Sequence, residues 1–77
     1  MKHARNDYNN RIVDLEKKIP DDEPVFLIRG QDTVAAETVR IWANLNDDAG
    51  GDPHLSDLAR NHAIAMDAWP KKKPADL

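Results

Sequence analysis

The residues most easily linked to a ligand lie between positions 29 and 33. A strand is predicted before them and a helix after them, which would place the free N–H groups of a helix N-terminus beside Gly30. Arg29 adds a forked cation and Gln31 an amide, and both could read a phosphate or the edge of a base. In the alternative interpretation, Asp32 caps the helix, Gly30 makes the turn and Arg29 pairs with an acidic neighbour. Both interpretations stay open, and the candidate ligand-binding residues are Arg29, Gly30, Gln31 and Asp32.

Other chemistries find little support among the residue types. The absence of cysteine excludes disulfides and thiolate metal sites. The only serine, Ser56, is predicted on the polar face of a helix and away from His62, so no nucleophile and base are paired. His54 and His62 are too far apart along a helix for a zinc pair, and His62 is expected to be buried and hydrogen-bonded. The loop 46–52 lacks the long glutamate of a calcium loop. We therefore expect no enzyme activity, no cofactor and no metal.

The element that would position the candidate site is a short strand. Residues 25–28 form a continuous apolar run between Pro24 and Gly30, which is typical of a buried strand over 25–29. A lone strand leaves backbone groups unpaired, so it needs a partner. Residues 12–15 could supply that partner, or a second copy of the chain could. The apolar spacing in 8–19 favours a helix there, with a short strand as the alternative.

Two helices are predicted after the strand. The first begins with Asp32 or Thr33 as its cap and ends at Gly50-Gly51. Its apolar residues form two neighbouring stripes: Ala35, Ala36, Val39, Trp42 and Ala43 in one, Val34, Ile41 and Leu45 in the other. So wide an apolar arc suggests contact with two layers or with a partner chain.

The second helix is predicted to begin at Asp52-Pro53 and to end before Pro70. Its apolar face is expected to hold Leu55, Leu58, Ala59, His62, Met66 and Trp69. Its polar face is expected to hold Ser56, Asp57, Arg60, Asn61 and Asp67. Ile64 falls on the polar side, which is unusual for a monomer.

These patterns predict a mainly α protein with one short β-strand, an α+β fold. The order is helix or strand, strand, helix, helix, with the strand paired to the N-terminal segment or across a homo-oligomer. We expect one small domain, 1–77, with mobile ends at about 1–7 and 70–77. A chain this small without disulfides is expected to self-associate, with a dimer as the expected form. The expected interface residues are Phe26, Ile28, Ile41, Trp42, Leu45, Ile64 and Trp69.

The charge pattern and hydropathy limit the expected partners and the expected location in the cell. A formal net charge of −3, with an acidic cluster in 14–23 between basic ends, does not favour a nucleic-acid partner. No apolar stretch has the length of a secretory signal or a membrane span. We therefore expect a cytoplasmic protein with no membrane partner.

The segment I-P-D-D-E-P-V-F-L-I-R-G-Q-D at 19–32, followed by V-R-I-W-A at 39–43, resembles a group of small phage and prophage proteins without an assigned activity. The resemblance continues more loosely through Gly50-Gly51, Met66 and Ala68-Trp69. It implies a phage accessory protein in the cytoplasm of a bacterial host, and it transfers no catalytic residues. Such a protein would act by binding, as an oligomer that inhibits or occludes a bacterial host defence protein. The alternative is an oligomeric small-ligand binder, such as a nucleotide-sequestering sponge, that uses residues 29–32.

Overall fold

The structure, a computed structural model, describes residues 1–76. In chain order its elements are strand β1 (Lys2–His3), a 3₁₀ helix (Asn6–Tyr8), strand β2 (Pro24–Val25), helix α1 (Ala35–Asp48) and helix α2 (Pro53–Ala68). The predicted mainly α, α+β fold is confirmed. Neither helix in the described part of the chain has the length and apolar content needed to cross a bilayer.

Strand β2 is paired by the beginning of the same chain. The two strands are parallel, with Lys2 opposite Pro24 and His3 opposite Val25. The Lys2 N–H donates to the Glu23 carbonyl at 2.8 Å, and the Ala4 N–H donates to the Val25 carbonyl at 3.2 Å. Pairing with the N-terminal segment is thus confirmed, whereas the more specific partner at 12–15 is wrong. The predicted strand 25–29 is also too long, because β1 offers only two residues to pair with.

The segment 8–19 continues past the 3₁₀ helix as turns, so both predictions for it, helix and strand, are wrong. Side chains form hydrogen bonds here that compete with regular structure. The Asp14 carboxylate accepts from the Ile19 N–H at 2.7 Å and from the Glu16 N–H at 3.2 Å. Lys17 between them has a positive φ of 55°. An aspartate that binds its own following backbone holds a turn and stops a helix.

A small cluster around Tyr8 anchors the N-terminal segment. The rings of His3 and Tyr8 are both buried and meet edge to face, 6.0 Å apart. The Arg5 guanidinium lies 4.6 Å from the centre of the Tyr8 ring, and His3 Nε2 lies 2.8 Å from the Ile12 carbonyl oxygen. These contacts include residues from the predicted mobile end 1–7, whose mobility stays a prediction.

Helix α1 has no side-chain cap at its first residue. Val34 occupies the cap position, so the prediction of Asp32 or Thr33 is wrong. The Asp32 carboxylate instead accepts from the Val34 N–H at 3.0 Å, which closes a turn before the helix begins.

The loop between the helices ends α1 and begins α2 at the residues that the sequence predicts. Gly51 N–H donates to the Asn46 carbonyl at 2.8 Å and Gly50 N–H donates to the Asp47 carbonyl at 3.0 Å, the bonding pattern of a Schellman end. Gly50 has a φ of 76°, which favours glycine. Asp52 then caps α2 by accepting from the His54 N–H at 2.9 Å. The predicted helix end at Gly50-Gly51 and the start at Asp52-Pro53 are both confirmed.

The helices pack against each other through small side chains. The buried helical residues are Ala35, Ala36, Ala43, Ser56 and Ala63. Ser56 accepts a hydrogen bond from Asn46 Nδ2 at 2.9 Å, and its Oγ lies 3.3 Å from the Ala43 carbonyl oxygen. The prediction of Ser56 on an exposed polar face is therefore wrong: where two helices approach this closely, only a small side chain fits.

The buried face of α2 differs from the predicted one as a consequence. Ser56, Ala59, Ala63 and Met66 turn toward α1 or are half-buried, whereas Leu55, Leu58 and Trp69 remain between 49% and 53% exposed. One side of the hairpin carries the ion pairs Arg40–Asp67 at 2.8 Å and Arg60–Asp47 at 2.6 Å. Leu55, Leu58 and Trp69 lie elsewhere on the surface.

Replacing a buried alanine tests the small-residue contact. In Ala63→Leu the added isopropyl group has no space between the helices, and overpacking of this kind costs about 1–3 kcal/mol. We expect a clearly lower thermal unfolding midpoint by circular dichroism. Ala68→Leu is the matched control, because Ala68 is exposed near the end of α2. Equal midpoints for the two variants would contradict the proposed packing.

Acid sensitivity tests the polar contacts of the same hairpin. Hydrogen bonds from the Ser56 hydroxyl and then from the Arg60 guanidinium hold the pKa of Asp47 below its usual range. A lowered pKa in the folded state stabilises the fold above the unfolded pKa of about 3.9, and this contribution disappears as the pH falls through the folded value. We expect the unfolding midpoint to fall more steeply below about pH 4 in the native chain than in Asp47→Asn. Parallel pH curves would show that Asp47 contributes nothing.

Candidate ligand pocket

A cavity lies where the chain passes from β2 toward α1. Its volume is about 410 Å³ and it is open to solvent. The lining residues are Ile28, Arg29, Gly30, Gln31, His62, Ala65, Met66 and Trp69. Three of the four predicted site residues therefore meet in one pocket, opposite the C-terminal half of α2.

The chain after α2 returns to hold the junction in place. Lys73 N–H donates to the Gln31 carbonyl at 2.9 Å, and Thr33 N–H donates to the Lys73 carbonyl at 3.3 Å. Lys72 Nζ donates to the Gly30 carbonyl at 2.7 Å and also to the Met66 carbonyl. Residues 72 and 73 thus tie the junction to α2, although they lie in the end predicted to be mobile. The mobility of that end stays a prediction.

The fourth candidate, Asp32, lies outside this pocket. Its carboxylate accepts from the Val34 N–H, as described above. Asp32 borders a smaller adjoining cavity of about 70 Å³ instead, near Arg5 and Tyr8. The negative charge that argued against an anionic ligand at this junction is therefore directed away from the larger pocket.

Neither backbone conformation nor a close contact requires a glycine at position 30. Its φ lies outside the positive region, which contrasts with Gly50. A Cβ at Gly30 would lie 3.7 Å from Met66 Cγ and 3.9 Å from Trp69 Cβ, both ordinary contact distances. The missing side chain leaves the pocket wider beside Trp69.

Helix α2 supplies the residues that sequence reasoning did not assign to the site. His62, Met66 and Trp69 recur at spacings of four and three, so they project from one side of the helix. His62 is exposed at the pocket wall, and the prediction of a buried histidine is wrong because the core of the hairpin runs along Ser56 and Ala63. The sequence shows this helical spacing, but it does not show that residues 28–31 lie against these side chains.

The pocket is electropositive. Its lining contains no aspartate or glutamate. Arg29 belongs to the lining, and Lys72 lies against two of its backbone carbonyls. Among residues 1–76, neither of these side chains lies within ion-pair distance of a carboxylate. The predicted structural pairing of Arg29 with an acidic neighbour is therefore not formed in the described chain.

The pocket lining places polar and apolar groups side by side. Its side chains offer a guanidinium, an amide and an imidazole beside an indole and aliphatic groups, and its lining holds no hydroxyl, thiol or carboxylate nucleophile. Within residues 1–76 no group of three histidine, aspartate or glutamate side chains is arranged to hold a metal ion.

The predicted interface residues are spread over several surfaces. Phe26, Ile41, Trp42, Leu45, Ile64 and Trp69 are exposed, and Ile28 is half-buried in the pocket wall. Ile41, Trp42 and Leu45 lie together on α1. Ile64 projects to the side of the hairpin that carries the ion pairs, as its helical position indicates. Their role in an interface stays a prediction.

Comparisons with known proteins add no relative. No protein-family model matches this chain, and neither curated proteins nor solved structures provide a match.

Two glycine variants test the contacts described at Gly30 and Gly51. Gly30→Ala should leave stability unchanged or raise it by up to about 1 kcal/mol, because the methyl group fits and the unfolded chain loses freedom. In Gly51→Ala the new Cβ would clash with the side-chain amide of Asn46, which also binds Ser56 Oγ and the Asp52 carbonyl. Losing those bonds should cost about 1–2 kcal/mol. Urea unfolding measures both, and an equal loss in the two variants would contradict the contacts described at Gly30 and Gly51.

Proposed function

We propose that the chain is a non-enzymatic accessory protein of phage type that acts by binding and works as a homo-oligomer in the bacterial cytoplasm. The observation that carries this proposal is the distribution of apolar side chains. The buried apolar residues are Tyr8 and four alanines, whereas twelve large apolar residues are exposed within residues 1–76. A core that leaves four leucines and both tryptophans exposed is typical of a chain that buries them against a partner.

The exposed surface area also supports a contact with a second copy. The chain exposes 6110 Å². A compact monomer of 8.7 kDa is expected to expose about 4,700 Å². The excess, about 1,400 Å², exceeds the roughly 800 Å² that each partner contributes to a standard interface. The excess is large enough for a stable contact with a second copy.

The pattern on the helices suggests which surface a second copy covers. On α1 and the residue before it, Val34, Thr38, Ile41 and Leu45 follow a spacing of four, three and four, the seam of a coiled coil. On α2, Leu55 and Leu58 begin a similar stripe. In steps of about 100° per residue, both stripes lie on the side of the hairpin away from the ion pairs. We name this surface the hairpin face and define it as Val34, Ile41, Trp42, Leu45, Leu55 and Leu58, which are between 48% and 60% exposed.

Two targets fit an oligomer of this kind. A bacterial defence protein could dock on the exposed acidic turn 21–23, where Asp21, Asp22 and Glu23 lie outside ion-pair distance of any cation within residues 1–76. A small ligand could enter the pocket at residues 28–31. The pocket is the specific observation that favours the second target, because its cavity lies beside Arg29 and Lys72, which have no carboxylate partner among residues 1–76.

A charge placed on the hairpin face tests self-association. Leu45 is 60% exposed, so Leu45→Lys should leave the fold of one chain intact while it places a cation in the interface. Size-exclusion chromatography with light scattering should give a multiple of 8.7 kDa for the native chain and a smaller mass for Leu45→Lys.

Ile64→Lys is the matched control. Ile64 is 66% exposed and projects to the side of the hairpin that carries the ion pairs, so this variant should keep the native mass. A native chain that runs as a monomer at micromolar concentration would overturn the proposal. Dissociation by both variants would move the interface to another surface.

A further inference from the structure

A single class of ligand could contact all the chemical groups of the pocket at residues 28–31. We infer that it binds a free nucleotide, a flat aromatic ring that carries a phosphate. This inference rests on the small-ligand form of the proposed function and names the chemistry of that ligand.

The cations at the pocket need an anion. Arg29 lines the pocket, and Lys72 Nζ is held beside it by the 2.7 Å hydrogen bond to the Gly30 carbonyl. Neither side chain has a carboxylate within ion-pair distance among residues 1–76, so an anionic ligand would supply the counter-charge. A guanidinium also matches a phosphate geometrically, since it can donate two parallel hydrogen bonds.

The remaining walls suit a planar ring and not an anion alone. Trp69 is 53% exposed at the pocket, and Ile28, Ala65 and Met66 provide apolar contacts beside it. An indole face stacks on any base, and the gain is about 1–3 kcal/mol per base in sites that use stacking. Inorganic phosphate would leave this apolar wall in water.

Polar groups at the edge could recognise a base. The Gln31 side chain is half-buried and carries both a donor and an acceptor, as the Watson–Crick edge of a base does. His62 adds a ring nitrogen on the opposite wall. The volume of about 410 Å³ falls within the usual range for small-molecule sites.

The pocket also borders the hairpin face. His62, Ala65 and Trp69 continue the α2 stripe that begins with Leu55 and Leu58, at spacings of three and four. A second copy on the hairpin face would therefore lie at the edge of the pocket and could narrow its open side. Ligand affinity and self-association should then be coupled.

The test is a titration of the full native chain, monitored by tryptophan fluorescence and calorimetry. The probes are adenosine monophosphate, guanosine monophosphate and cyclic di-adenosine monophosphate, with adenosine, inorganic phosphate and a short single-stranded oligoadenylate as comparisons. At least one nucleotide should bind, and it should bind at least tenfold more tightly than adenosine or phosphate. Binding of none of the nucleotides at millimolar concentration overturns the inference. So does tighter binding of phosphate or of the oligoadenylate.

Variants place the ligand in the pocket. Arg29→Met should weaken nucleotide binding at least tenfold, whereas Arg11→Met, at an exposed arginine outside the pocket lining, should not change it. Gly30→Leu and Ala65→Leu should each fill the cavity and abolish binding. The two are tested separately, and unfolding midpoints show which of them keeps its fold. Unchanged binding in Arg29→Met, or in a folded cavity-filling variant, overturns the assignment.

Light scattering on the same samples shows whether a negative result concerns the ligand class or the proposed oligomer. An oligomer that binds no nucleotide overturns the ligand class and leaves the oligomeric binding protein in place. A monomer that binds a nucleotide in an Arg29-dependent way supports the ligand class and overturns the oligomer.

Discussion

The close contact between the two helices, made by Ala43, Ser56 and Ala63, determines the arrangement of the rest of the molecule. Small side chains let α1 and α2 approach each other, but they bury little apolar area. The larger side chains on both helices are thereby turned outward, including the leucines at 45, 55 and 58. A hairpin built in this way gains little stability from its own interior. Its remaining apolar surface is available to another molecule.

The candidate pocket depends on the same contact. Because Ser56 and Ala63 face α1, the adjacent side of α2 that carries His62 and Trp69 is left for the junction at residues 28–31. The chain after α2 then folds back, and Lys72 and Lys73 bind the backbone of that junction. The pocket therefore joins two stretches of chain that are distant in sequence, residues 28–31 and residues 62–73. Its positive charge comes from Arg29 and Lys72, one from each side of the junction.

Sequence reasoning succeeded where the signal is local and failed where it depends on how segments cross. The Asp52-Pro53 start and the Gly50-Gly51 end each involve a few adjacent residues, and both were predicted. A two-residue strand at Lys2–His3 carries no periodic pattern, so β1 was missed. Ser56 was assigned to the surface because its hydroxyl resembles a solvated group, yet its small size was the relevant property. Arg29, Gly30 and Gln31 were found from their chemistry, while Lys72 required the path of the tail.

The most direct test of the central claim, that the small-residue core leaves a surface for a second copy, is small-angle X-ray scattering over a range of concentrations. The described chain has a Cα radius of gyration of 13.8 Å. A compact monomer of this length is expected at about 11.5 Å. The account predicts a forward-scattering mass of at least twice 8.7 kDa and a radius of gyration above 13.8 Å at micromolar concentration. A mass of 8.7 kDa at every concentration would contradict it.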